Sequence, residues 1–118
     1  MFKRIKFTTV PVRDQDRALE FYTSKLGLKV FTDQAMGESR WIELQVPGAD
    51  TLLVLWKQKD HAPGPMPAVV FVAANVRKTY DELKGKGVEF TQPPTKAPWG
   101  ESAMFKDSEG NLVMFGTA

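Results

Sequence analysis

The feature that most restricts the fold is a repeat. Two stretches of about 60 residues carry strand and helix signals in the same order, and self-similarity at a fixed offset favours pseudo-twofold symmetry over two unrelated halves. In the first, IKFTTVPV alternates and is rich in β-branched residues, so it reads as a strand ended by Pro11 and the cap residue Asp14. DQDRALEFYTSKLG places Ala18, Phe21, Tyr22 and Leu26 on one helical stripe, with Gly27 as the left-handed stop. The strands LKVFTD, RWIELQV and TLLVLWK follow. After QKDHAPGPMP, dense in the turn formers proline and glycine, AVVFVAA opens the pattern again. Asn75 takes the cap place of Asp14, and Val76, Thr79, Tyr80 and Leu83 form the helical stripe. Val88-Glu89-Phe90 echoes Leu28-Lys29-Val30, and ESAMFK and NLVMFG complete a second β-α-β-β-β. The expectation is an α+β chain forming one domain, 1–118, from modules 1–60 and 61–118.

At 118 residues and 42% hydrophobic content, the chain is long enough to bury a core without staples. Sixteen basic and fourteen acidic side chains leave a net charge of +2, too weak and too interspersed for a nucleic-acid groove. There is no cysteine, which removes disulfides, thiolate catalysis and sulfur-ligated zinc and fits a reducing, cytoplasmic setting. The longest apolar run, Pro67 to Ala74, is far short of the roughly 18 to 20 residues a membrane span needs.

FKDSEGNLVMFG sets an acidic cluster around a glycine. An EF-hand needs alternating oxygen ligands and glycine at its sixth place, whereas Gly110 stands fourth from Asp107, so a hairpin fits better. Asp107 then accepts backbone N–H bonds at the turn entrance, and Gly110 takes positive φ without steric cost. Together with VRDQDRALEFYTSKLGL and GVEFTQPPTKAPWG, the segment KDSEGNLVMF resembles the vicinal oxygen chelate superfamily, which includes glyoxalase I, bleomycin-resistance proteins and extradiol dioxygenases. Ser108 departs from the proline common there. The resemblance implies paired βαβββ modules with curled mixed sheets forming a cup.

In metal-dependent members of that family the ligands are His, Gln or Glu at inward strand positions, two per module. The resemblance carries these places onto Phe7, seven residues before Asp14, and onto Ala68 by the same count from Asn75. The last-strand place is Met114, three residues after Asn111, and the repeat offset carries it to Val54. Hydrocarbon and thioether side chains do not ligate hard or borderline divalent ions, so no metal and no other cofactor is expected. His61, the one histidine, reads as a solvated linker residue.

Strand parity assigns the remaining faces. With Phe7 inward, Thr9 and Pro11 follow it, as do Ala68, Val70 and Val72, then Leu52, Val54 and Trp56, and finally Leu112 and Met114. In WIELQV, Ile42, Leu44 and Val46 suit the core, which leaves Trp41, Glu43 and Gln45 on the opposite face. Phe7, Trp41 and Trp56 suit stacking on a planar ligand, with Glu43 placed to orient a donor or act as a base. Trp99, in the proline-stiffened TQPPTKAPWG, reads as a loop residue that either closes over the cup or plugs a sheet edge.

The expected function is a metal-independent small-molecule binder with an apolar, aromatic-lined site formed by Phe7, Thr9, Trp41, Glu43, Val54, Trp56, Ala68, Val70, Trp99 and Met114. The net charge disfavours a cationic drug of the bleomycin type. The alternatives are an enzyme of the same family (a lyase, isomerase or dioxygenase, metal-dependent or using Glu43 or Glu101) and an interaction module whose own side chains fill the cup. The ring of apolar inward residues further predicts a homodimer.

Overall fold

The computed structural model describes all residues, 1–118. The chain divides into two units, Met1–Ala62 and Pro63–Ala118. In the first, β1 (Phe7–Val12) leads to α1 (Gln15–Glu20), a π-helical turn (Phe21–Lys25), β2 (Lys29–Met36), β3 (Ser39–Gln45) and β4 (Leu52–Lys57). In the second, β5 (Val69–Val72) leads to α2 (Val76–Gly85), β6 (Glu89–Ala97), β7 (Gly100–Lys106) and β8 (Leu112–Gly116). Each unit folds one four-stranded sheet, ordered β1-β4-β3-β2 and β5-β8-β7-β6, with its first and last strands parallel and the other pairs antiparallel. This is the repeated βαβββ arrangement that the sequence signals anticipate.

The helix starts use the expected caps. Asp14 accepts from the Arg17 N–H at 3.0 Å, and Asn75 accepts from the Lys78 N–H at 3.0 Å. The first helix does not run on as a plain α-helix. Its last turn widens where the Leu26 N–H reaches the carbonyl of Phe21, and the Thr23 hydroxyl donates back to the carbonyl of Leu19 at 2.7 Å. Gly27, at φ 76°, ends it.

Alternation partitions each sheet. In the first unit Val10, Val12, Ile42, Leu44, Leu53 and Leu55 are buried together with Ala18, Phe21 and Tyr22 of the helix. In the second, Ala103, Phe105, Val113 and Phe115 are buried with Val76 and Leu83 of α2, and Phe90 joins Tyr80, Phe105 and Phe115 in an aromatic cluster. Val46, expected in the core, lies beyond the end of β3 and is exposed, because the turn that follows leaves the sheet before parity can apply.

The β7–β8 connection is a hairpin: Asp107 Oδ1 accepts from the backbone of Glu109 at 2.8 Å and Asn111 at 2.9 Å, and Gly110 has φ 82°. TQPPTKAPWG, in contrast, is mostly not a loop. β6 extends through Pro93 and Pro94 to Ala97, leaving only Pro98 and Trp99 as connection. Proline is tolerated there because β6 is an edge strand and its pairing is interrupted between Gln92 and Thr95.

Gln15 ties the first unit together from a buried position. Its Nε2 donates to the carbonyls of Arg40 (2.6 Å) and Leu55 (2.9 Å), and its Oε1 accepts from the Arg40 N–H (3.0 Å). Gln15→Leu leaves these backbone groups without partners, so it is expected to lower unfolding stability by about 2–3 kcal/mol in a urea titration.

Candidate ligand site

Each sheet has one face against its helix and one turned away from it, and cross-strand register arranges the second face in rows. In the first unit, pairing of Thr9 with Val54, Val54 with Glu43 and Glu43 with Thr32 makes the row Thr9–Val54–Glu43–Thr32. Phe7, Leu52, Gln45 and Lys29 form the row on one side. On the other side lie Pro11 paired with Trp56 and Trp41 paired with Gln34.

Trp41 contacts Phe7 (ring centroids 5.5 Å, interplanar 81°) and Trp56 (5.8 Å, 83°), both edge to face. Phe7 and Trp56 lie in rows on opposite sides of Val54, so the ring that touches both spans the row between them. Val54 is accordingly 0% exposed: it lies on the expected face as a floor beneath the rings. Trp56 is 47% exposed and offers the accessible indole surface of the cluster, while Glu43 is only 9% exposed.

In the second unit the equivalent row is Val70–Met114–Met104–Gln92. Val70 is 60% and Val72 71% exposed, with Met104 and Met114 half-buried beside them. Ser102 and Gly116 pair on this face, so the second sheet carries small groups where the first carries Trp41 and Trp56. Trp99 is exposed at the β6–β7 turn, with its ring 3.7 Å from where a Cβ on Gly116 would stand. Gln92 and Met104 were not singled out from sequence. The alternation of ESAMFK places Met104 opposite Phe105, but the row it joins depends on the register with β6 and β8.

The four family metal places carry Phe7 and Val54 in the first unit and Ala68 and Met114 in the second. None supplies a hard or borderline donor, and nowhere do three His, Cys, Asp or Glu side chains gather so as to hold an ion. The residues present do not fit a divalent metal. Glu101, a sequence-level candidate for catalysis, shares strand parity with the buried Ala103 and Phe105, and its carboxylate lies 3.3 Å from Arg77 of α2. It is therefore directed to the helix side of its sheet. His61 stays in the connecting segment, where its N–H donates to the carbonyl of Gln58 at 3.0 Å.

A polar cleft of about 350 Å³ opens in the first unit, lined by charges of both signs that include Arg13, Asp16, Glu38, Arg40 and Lys57. Arg40, on its wall, pairs with Asp16 and also grips Asp33 of β2 with two hydrogen bonds (3.1 and 2.9 Å). The hydrogen bond from Arg40 holds the Asp33 carboxyl below its ordinary range; burial opposes that shift and the opposite charge adds to it. A depressed folded-state value means that the stabilisation is present above the unfolded-state value and is lost as pH falls through the folded one. Asp33→Asn should therefore cost less than about 1 kcal/mol near neutrality, since the pair is about one-third exposed, and the difference from wild type should shrink in urea titrations as pH falls below the ordinary carboxylate range.

A family model described as Glyoxalase/Bleomycin resistance protein/Dioxygenase superfamily matches residues 4–115. YurT of Bacillus subtilis (strain 168), an uncharacterized protein, is 41% identical over 122 residues, which cover 93% of this chain and 95% of YurT. The crystal structure of UcmS2 superposes with a TM-score of 0.88 at 33% identity, covering 100% of both chains. That of TnmS3, an antibiotic binding protein from Streptomyces sp. CB03234, gives a TM-score of 0.88 at 31% identity, covering 98% of this chain and 96% of TnmS3.

Proposed function

The chain belongs to the Glyoxalase/Bleomycin resistance protein/Dioxygenase superfamily, and on that premise we propose that it is a metal-independent binder of small planar aromatic molecules. The observation that carries the reading is the Phe7–Trp41–Trp56 cluster on the sheet face away from the helix, with an indole left accessible at Trp56. Rings held edge to face by one another are pre-organised, so a flat ligand stacks on them at little cost in side-chain entropy. Thr9 and Glu43 supply the few polar groups such a site uses for orientation, while Val70 and Met114 give the second sheet an apolar ligand-facing surface of its own. Ala68 and Trp99 are further contacts proposed on the second unit by itself. The description of TnmS3 as an antibiotic binding protein supports a small-molecule ligand.

Aromatic metabolites and antibiotics screened by thermal shift are expected to include compounds that raise the melting temperature. Trp56→Ala and Trp41→Ala should each weaken such a compound by about tenfold in calorimetric titration, the loss of one aromatic contact together with its buried area. Dialysis against EDTA, with elemental analysis before and after, should leave the affinity unchanged; loss of binding that is restored by one divalent ion would overturn metal independence.

The same reading includes an isologous homodimer. Beside the proposed ligand contacts the second sheet's free face is apolar and uncharged at Val72 and Met104, which suits a second copy of the same neutral surface better than a charged partner. Sedimentation velocity at micromolar concentration is expected to show twice the chain mass, with Val72→Asp shifting it to monomer.

A further inference from the structure

We infer that the ligand carries a protonated nitrogen on its planar frame and that Glu43 is the residue that recognises it; this rests on the aromatic site proposed above and narrows its ligand class. Glu43 is 9% exposed, yet its carboxylate makes no hydrogen bond and no ion pair within the chain. Gln15, Asp107 and Glu109, which are also buried, are engaged. Gln15 holds three backbone groups, Asp107 accepts from Glu109, from Asn111 and from the Asn111 amide, and Glu109 accepts from the Ser108 hydroxyl. The Glu43 oxygens still touch water at the free face, so the carboxylate is held in place by its surroundings yet open to a ligand that enters there.

The fold does not require an acid at this place. In the second unit Met104 occupies the equivalent position of the equivalent row, pairing with Met114 as Glu43 pairs with Val54. No cation of this face pairs with Glu43. The other ionisable position of the face, Lys29, lies at the margin opposite Gln45, is exposed, and makes no contact with Glu43. What the carboxylate lacks is therefore a donor from outside. A protonated nitrogen satisfies it with a charge-assisted hydrogen bond, and a positively charged ring system gains again from the faces of Trp41 and Trp56. The net charge of +2 weakens long-range attraction of a cation, but recognition at contact is decided by the local carboxylate.

The test is calorimetric titration of the intact protein with 9-aminoacridine, which is protonated at neutral pH, and with acridine, its neutral counterpart of the same ring size. Wild type is expected to prefer 9-aminoacridine by about tenfold or more, as a hydrogen bond to a charged group requires. Glu43→Gln should abolish the preference, and Glu43→Asp, which keeps the charge, should retain part of it. A purely structural role predicts that Glu43→Gln lowers the melting temperature of the ligand-free protein; recognition predicts no decrease, because the substitution removes an uncompensated charge. Equal affinities in wild type overturn this inference and leave the aromatic site standing, whereas failure of both dyes to bind overturns the two together. A preference that survives Glu43→Gln, or that survives Trp56→Ala and so places the dye at the acidic groups of the polar cleft, also overturns it.

Discussion

The parallel pairing of the first strand of each unit with its last is the constraint on which everything else rests. It brings Phe7 and Thr9 beside Leu52 and Val54, and Val70 beside Met114, across most of the length of a module. Because the intervening strands pair antiparallel outward from the last strand, one register sets which residues share a row on both faces. A slip of one residue between β1 and β4 would turn Phe7 toward the helix and Val10 toward the free face, so the hydrophobic core and the candidate site are specified by the same choice.

The two modules show how a duplicated scaffold divides its duties. On the helix side the rows match in character: Leu53 and Leu44 are buried in the first, Val113 and Phe105 in the second. On the free side they part company. The first unit carries Trp41, Glu43 and Trp56, while the second carries Ser102, Met104 and Gly116 at corresponding places. Packing penalises change on the helix side, since the core has little room to yield. The penalty is weaker on the other face, where Trp56, Val70 and Val72 are exposed, and that is where chemical character differs between the units.

Several parts of this arrangement are legible in the sequence because they are local. Caps at Asp14 and Asn75, the Asp107–Gly110 turn and the alternation of WIELQV each depend on a few consecutive residues, and each appears where those residues place it. Other parts are long-range. The strand character of TQPPTKA follows from β6 lying at a sheet edge, a place that no local proline rule can supply. Glu43 and Glu101 look alike as isolated acids in strands, yet one lies partnerless beside a Trp cluster and the other meets Arg77 of α2. The difference comes from which face each strand presents to its helix.

By itself, then, the amino-acid order determined the succession of elements, the two faces of each strand and the absence of hard donors at Phe7, Val54, Ala68 and Met114, because a period of two and short-range capping are read from neighbouring residues. Tertiary structure alone decided that Trp41 would bridge Phe7 and Trp56 over Val54, and that Glu43 would be buried without a partner. Those outcomes depend on register between strands far apart in the chain, shifted by irregularities in pairing such as the one between Val30 and Thr32.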